Sequence, residues 1–306
     1  MGIGIDIGGT AIKGGIVDHN GVILEERMVN TQNQMGYAQV LSDLVLLIKE
    51  LHHFSPEETT VGIGIPGILS ADGATVVSCP NLNWKNRPLK KDLEKELSLE
   101  VLLVNDATAA CIAEAAFGST RGRSSSVMLT LGTGVGGGVI INDRVISGAH
   151  GVASEVGHMI MAENFYNCNC GKNGCLETFA SATALIRYCH KRLAEGVESD
   201  LKTSENFDAR RIFEAAKAGD SLALAAVNRL ARYLGWAIAN ISDLIDPEIF
   251  TIGGGLSGAG EFLLERIKAE TKSRLTYPAS AMPEIVLASF RNDAGVVGAA
   301  NLSRFI

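Results

Sequence analysis

The sequence predicts an α/β protein built from two similar domains. Three observations carry that expectation. Apolar strand segments alternate with stretches of helical periodicity along the chain. A glycine-rich strand–turn–strand unit occurs twice, as Ile3-Gly-Ile-Asp-Ile-Gly-Gly-Thr-Ala-Ile-Lys-Gly-Gly-Ile-Val17 and as Val127-Met-Leu-Thr-Leu-Gly-Thr-Gly-Val-Gly-Gly-Gly-Val-Ile-Ile141. A length of 306 residues suits two domains of about 100–200 residues each.

The elements follow in order. Gly4–Val17 reads as strand, Gly-Gly-Thr turn, strand, and Asn20-Gly21 turns the chain into Val22-Ile23-Leu24. Val40–Leu51 has helical spacing, and Val61–Pro66 is a short buried strand ending at Gly67. A helix fits Leu89–Leu97, and the strand Val101–Val104 runs through Asn105-Asp106 into the Ala-rich helix Ala107–Phe117. After the second glycine hairpin come helices near Ala182–Glu195 and over Ser221–Ile245, then the strand Ile249–Ile252 with Gly253-Gly254-Gly255. A helix over Glu261–Leu275, a strand over Ile285–Ala288 and a small-residue helix from Ala294 to about Ser303 complete the chain. That last helix can pack back on the first domain, and the cleft between two such domains is the natural ligand site.

Composition narrows the function. The chain carries 27 basic and 34 acidic side chains for a net charge of -7, with a pI near 5.5, so the basic footprint of nucleic-acid or anionic-membrane binding is missing. The amino terminus lacks the basic and apolar regions of a secretory signal. The longest uncharged stretch, Ser124–Asn142, holds five Gly, three Ser, two Thr and an Asn, too polar for a membrane span. A cytoplasmic protein is expected, in which six cysteines do not serve as structural disulfides. Glycine stands at 34 residues, about 11% against a usual ~7%.

Glycines gathered in a turn let backbone N–H groups surround an anion where a Cβ would intrude. Asp6-Ile-Gly8-Gly9-Thr10 and Gly132-Thr133-Gly134-Val-Gly136-Gly137-Gly138 both suit phosphate, with hydroxyls from Thr10 and Thr133 and a charge from Lys13. Asp6 ends its strand where it can hold Mg²⁺, directly or through water; ordinary glycine hairpins with a solvated turn acid are the plainer alternative. Two G-x-G-x-x-G matches, starting at Gly132 and Gly253, lack a dinucleotide fingerprint's context. The first leads into a strand, and the second has no acid at a strand end about twenty residues on. The strand and glycines at Gly253–Gly255 still suit close approach of adenosine or phosphate.

The most specific local pattern is His158-x9-Cys168-x-Cys170-x4-Cys175. One imidazole and three thiolates make a closed tetrahedral Zn²⁺ site, structural because no position is left for water; free, partly buried thiols with an unrelated histidine are the plainer alternative. Cys79, Cys111 and Cys189 lie among apolar neighbours, as core residues do. Asp106 follows a buried strand and begins a helix, which suits both a helix cap and a proton acceptor for an attacking hydroxyl. Glu155 and Glu177 bracket the zinc motif, where they can meet polyol hydroxyls or be surface acids. Asn81 and Asn83, in Pro80-Asn-Leu-Asn-Trp84, can do the same with amides or simply turn the chain.

Together these residues resemble the ROK (repressor, open reading frame, kinase) sugar kinases of the hexokinase and actin-like ATPase superfamily, over nearly the whole chain. Asp6–Thr10 with Lys13 is similar to the family's first phosphate motif, Leu131–Gly138 to the second and Ile252–Gly255 to the adenosine motif. Cys168-Asn-Cys-Gly-Lys-Asn-Gly-Cys-Leu-Glu177, with Glu155-Val-Gly-His158 upstream, looks like the zinc and sugar signature in full.

The resemblance implies an actin-like two-domain fold with an interdomain cleft. Residues 1–117 with 291–306 would carry the first phosphate loop and the catalytic acid, and 118–290 the second phosphate loop, zinc loop and adenosine motif. It implies transfer of the γ-phosphoryl of Mg-ATP to a hexose 6-hydroxyl, with Asp106 as base. Gly67, Asn81, Asn105, Asp106, Glu155, His158 and Glu177 would meet the sugar. Asp6, Gly8, Gly9, Thr10, Lys13, Gly132, Thr133, Gly134, Gly136, Gly254 and Gly255 would meet the nucleotide. His158, Cys168, Cys170 and Cys175 would hold Zn²⁺ and Asp6 Mg²⁺, in a homodimer.

The Pro80–Trp84 stretch and the Glu-Thr-Phe-Ala-Ser run after Leu176 look most like bacterial glucokinases. N-acetylmannosamine, N-acetylglucosamine and fructose kinases share most of the other motifs. The family often has Gly-Ala-Asn-Gly-x-Ala-Gly-Glu where this chain has Gly148-Ala-His-Gly-Val-Ala-Ser-Glu155, so His150 and Ser154 depart from the pattern beside Glu155. A sugar-sensing ROK repressor would carry a helix-turn-helix domain before the first phosphate motif, and here Asp6 lies near the first residue. A zinc-structured oxidoreductase is opposed by the failed fingerprint context.

Overall fold

In the computed structural model, which describes residues 1–203, 206–277 and 282–306, strands β1 (Gly2–Ile7), β2 (Ala11–Val17) and β3 (Ile23–Asn30) form an antiparallel meander. Its second turn is built by Asp18, whose carboxylate accepts the Asn20 and Val22 N–H groups at 2.8 Å each. Helix α1 (Tyr37–Phe54) buries Val40, Leu44, Leu47, Ile48 and Leu51 on one stripe. It leads to β4 (Thr60–Ile65), a small sheet of β5 (Ile68–Leu69), β6 (Val76–Cys79) and β7 (Trp84–Arg87), and helix α2 (Leu89–Leu97). Strand β8 (Glu100–Asn105) runs directly into α3 (Asp106–Phe117). Sequence patterning missed the small sheet because strands of two to four residues are too short to show a period.

The second half repeats this plan. It comprises β9 (Ser126–Leu131), β10 (Val135–Ile141), β11 (Arg144–Val145), β12 (Ile249–Gly253) and β13 (Glu284–Leu287), with helices α4 (Glu177–Ala180), α5 (Ala182–Ala194), α6 (Ala209–Lys217), α7 (Ser221–Ile245), α8 (Glu261–Lys272) and α9 (Ala294–Ala300). The two five-stranded sheets have orders β3-β2-β1-β4-β8 and β11-β10-β9-β12-β13. Taken in chain order within each half, both are 3-2-1-4-5. The last two strands in each are parallel to one another, so the hairpin repeat seen in the sequence is a repeated topology. No helix among the described residues is long and apolar enough to cross a membrane.

Two compact units result: Met1–Met128 with Gly138–Ser154 and Ser289–Ile306, and Leu129–Gly137 with Glu155–Ala288. Residues 118–128 and 138–154, expected with the C-terminal domain, group here with the first unit. Gly138 lies against Cys111 and Gly151 against the Leu69–Ser70 backbone, while Val145 N–H donates to the Phe305 carbonyl at 2.8 Å.

The first unit is closed by α9. Its backbone approaches the sheet so nearly that a Cβ on Gly4 would overlap the Val296 carbonyl and one on Gly62 the Ala299 carbonyl. On its other side, Gly298 touches the Ala109 carbonyl of α3. Gly298→Ala therefore forces α9 away from α3, and urea unfolding should show a loss of roughly 1–3 kcal/mol; unchanged stability would contradict this packing.

Candidate functional site

In the first unit, β1, β4 and β8 are parallel neighbours, with Ile5 beside Ile63 and Ile65 beside Asn105. Asp6, Gly67, Asn105 and Asp106 therefore gather at the carboxyl ends of adjacent parallel strands, where α/β sheets bind ligands. Gly67 sits where a Cβ would lie 2.5 Å from the Ser78 carbonyl oxygen, and its own carbonyl accepts the Asn105 side-chain amide at 3.3 Å.

Asn105 also caps α3, its Oδ1 accepting from the Ala107 and Thr108 N–H groups at 2.9 and 3.3 Å. Capping by the preceding residue places Asp106 at the first helical position, with one carboxylate oxygen 2.8 Å from the Ala107 N–H. The N-cap alternative thus belongs to Asn105, and Asp106 stands beyond it.

The first glycine turn is held by Gly8 N–H to the Ala11 carbonyl (2.8 Å) and by Thr31, whose hydroxyl reaches the Gly8 carbonyl (2.8 Å) and whose N–H reaches that of Thr10 (2.9 Å). Gly9 and Thr10 are left exposed at its tip, and a Cβ on Gly9 would lie 3.8 Å from the Asn81 Cβ. Asn81 belongs to a 3₁₀ turn, Pro80–Leu82, joining β6 to β7. Lys13 pairs in register with Asp6. Burial raises the Asp6 carboxyl above its ordinary value, and the Lys13 charge opposes that. Gly295 of α9 lies directly against the Asp6 carboxylate.

In the second unit the turn between β9 and β10 is set on the start of α5: Ala182 N–H donates to the Gly132 carbonyl at 2.9 Å and the Thr183 hydroxyl to the Thr133 carbonyl at 2.8 Å. Gly136 lies within β10, and Gly254, at φ 78°, seats its Cα against the Leu131 backbone. A 3₁₀ turn, Gly255–Ala259, separates β12 from α8, so the glycines do not open that helix directly.

Gly132, Thr133 and Gly255 line a cavity of about 730 Å³. Its far wall is α6, which contributes Arg210, Phe213 and Lys217. Helix α6 is not among the elements expected from the sequence, although its signals are present: Asp208 caps it by accepting the Arg211 N–H at 2.8 Å, and Ile212, Phe213, Ala215 and Ala216 give it a buried stripe.

The ligand atoms of His158, Cys168, Cys170 and Cys175 all lie within 4.8 Å of one another. Cys170 and Cys175 sulfurs are 3.5 Å apart and Cys168 Sγ is 3.8 Å from His158 Nδ1. A tetrahedron of ~2.3 Å bonds has edges of ~3.8 Å, so the donor set fits Zn²⁺. Burial pushes the Cys168 thiol up to about 12 and raises Cys175, while the Lys172 N–H lowers Cys170. The other imidazole nitrogen, Nε2, lies 3.8 Å from the Glu155 carboxylate.

Glu177 opens α4 and is held at both oxygens: Oε1 lies 3.5 Å from the Cys168 thiol and Oε2 accepts the Val135 N–H at 3.1 Å. A Cβ on Gly134 would collide with that carboxylate, so a side chain there would push Glu177 out of its place. Cys79, Cys111 and Cys189 are buried.

The family model described as the ROK family matches residues 2–305. A glucokinase of Halalkalibacterium halodurans is 38% identical over 97% of this chain and 92% of its own length. A glucokinase of Streptomyces coelicolor is 36% identical over 99% and 97%. Among solved structures, a ROK family glucokinase of Streptomyces griseus in complex with glucose and AMPPNP is similar with a TM-score of 0.81 at 35% identity, covering 98% of both chains. The glycine turns, the thiol cluster and the strand-end carboxylates thus sit in a chain that belongs to the ROK family.

Proposed function

We propose that the protein is an ATP-dependent glucokinase that transfers the γ-phosphoryl group to the 6-hydroxyl of glucose. The observation that carries this reading is the division of labour between Asn105 and Asp106. Asn105 caps α3, and Asp106, the first residue of that helix, stands at the carboxyl end of β8, where its carboxylate is assigned to proton transfer. The glucose and AMPPNP held by the similar Streptomyces griseus enzyme support the substrate pair, as do the glucokinase relatives.

In the reaction Asp106 accepts the proton of the attacking hydroxyl as its oxygen bonds to the γ-phosphorus, and the bond to the β-phosphate oxygen breaks to release ADP. Asn105, Gly67, Asn81, Glu155, His158 and Glu177 are assigned to the sugar. The turns at Gly8–Thr10 with Lys13, at Gly132–Gly136 and at Gly254–Gly255 are assigned to the nucleotide, with the α6-walled cavity taking its base. Mg²⁺, for which the half-buried Asp6 carboxylate is the fitting ligand, would neutralise charge on the phosphates. Zn²⁺ held by His158 and the three thiolates would be structural, stiffening the loop that carries Glu155 and Glu177.

Three measurements test the assignment. A coupled ADP-release assay over glucose, mannose, fructose, N-acetylglucosamine and N-acetylmannosamine should give its highest kcat/KM on glucose; no turnover on any of them would refute a sugar kinase. Asp106→Asn should lower kcat by roughly a hundred- to ten-thousand-fold while glucose binding is nearly kept; near-normal kcat would remove Asp106 from the base role. Cys170→Ser should lose zinc and weaken glucose binding together, and metal analysis finding no zinc in the parent protein would contradict the site.

A further inference from the structure

Behind the thiol cluster, α7 presents a guanidinium to three aromatic rings. The Arg229 Cζ lies 4.6 Å from the Phe179 ring centroid, 5.0 Å from Tyr188 and 5.4 Å from Tyr233. Phe179 and Tyr233 are themselves stacked at 3.9 Å. Cation–π contacts of this kind strengthen as the cation loses water, and Arg229 is half-buried.

The same guanidinium donates to Asn164 Oδ1 at 3.1 Å. Asn164 then turns its amide to the Thr178 carbonyl at 2.7 Å, where the Tyr166 hydroxyl also donates at 2.9 Å. Asn164 N–H is fixed by Asn173 Oδ1 at 2.8 Å. Two routes therefore run from Arg229 to the short helix α4. One is the Phe179 ring, two residues after Glu177, and the other is the Thr178 carbonyl, one residue after it. Neither passes through a sulfur or the imidazole.

We propose that Arg229 is a positioning residue for sugar binding, fastening α4 to α7 and so holding the Glu177 carboxylate in place by contacts other than those through the thiol cluster. This rests on the assignment of Glu177 to the sugar. Only a flat, multiply donating cation can lie among the rings and reach Asn164 at once, so lysine, a point charge, cannot replace it.

The test uses the full chain with its metal and measures glucose binding by calorimetry without nucleotide, zinc content, and steady-state kinetics, for R229K, E177Q and the double variant. R229K should weaken glucose binding roughly tenfold with zinc content unchanged and kcat within about threefold of the parent. Because Arg229 acts through Glu177, the double variant should bind glucose as E177Q does, within about twofold. A role in folding alone would lower Tm and leave glucose binding untouched. That result for R229K, alongside weakened binding in E177Q, would overturn the proposal, as would additive losses in the double variant. E177Q with parental affinity would instead remove the assignment of Glu177 and the proposal with it. Should R229K fail to fold, Asn164→Ala cuts the same connection while leaving the rings intact, and the same outcomes apply.

Discussion

The first unit depends on one close approach, that of α9 to the bare backbone of β1 and β4. Helices normally stand off a sheet by the length of the side chains between them. Here glycines at Gly4 and Gly62 remove those side chains and the helix carbonyls take their space. The consequences spread along β1. Its carboxyl end is pinned beside β4, which in turn pairs with β8, Gly295 comes against Asp6, and Gly298 brings α3 against the same helix. Glu114 of α3 adds a polar fastening, its buried carboxylate accepting the Phe290 N–H at 2.7 Å just before α9. One helix thus sets the positions of both strand-end acids, Asp6 through contact and Asp106 through the helix it begins.

In the second unit the corresponding constraint is electrostatic. Glu177 meets the Cys168 thiol with one oxygen and the second glycine turn with the other, and so ties the thiols to the turn. The loop between them contains little regular structure, and it is ordered instead by side chains. Asn173 alone donates to the carbonyls of Asn164 and Tyr166 and to Asn167 Oδ1. A loop ordered by such a network offers its carboxylate with little entropy left to lose on binding.

Much of this was legible in the sequence, and what was not has physical reasons. The hairpins, the long α7 and the parallel strands announce themselves because their apolar periods run for several turns or residues. The thiol cluster is legible because few other arrangements explain that spacing. The glycine excess was legible but only half understood: turns at Gly8–Gly9 and Gly132–Gly134 account for part of it, whereas Gly4, Gly62 and Gly298 serve a helix remote in sequence. Nothing local to β1 or β4 distinguishes a glycine that meets a ligand from one that meets a helix. The cap at Asn105 could have been read, since Asn and Asp are about equally favoured there and only the helix start decides between them. Contacts of Arg229 with Asn164 join residues far apart in the chain, and no pattern of spacing could reveal them.

The departure at Ser154 can be judged on the same footing. The family often has glycine there, and the backbone explains it: Ser154 stands at φ 70°, in the left-handed region that costs a side-chain-bearing residue roughly 1–2 kcal/mol. The chain keeps the conformation and tolerates the residue, with the serine hydroxyl 3.5 Å from the Ile146 carbonyl. The backbone therefore enters Glu155 as it would from a glycine, and the replacement acts on stability more than on the direction of that carboxylate. His150, exposed and four residues earlier, carries no such constraint. The two departures thus differ in kind: Ser154 adds a hydroxyl that turns back onto the backbone of its own loop, whereas His150 adds an exposed imidazole.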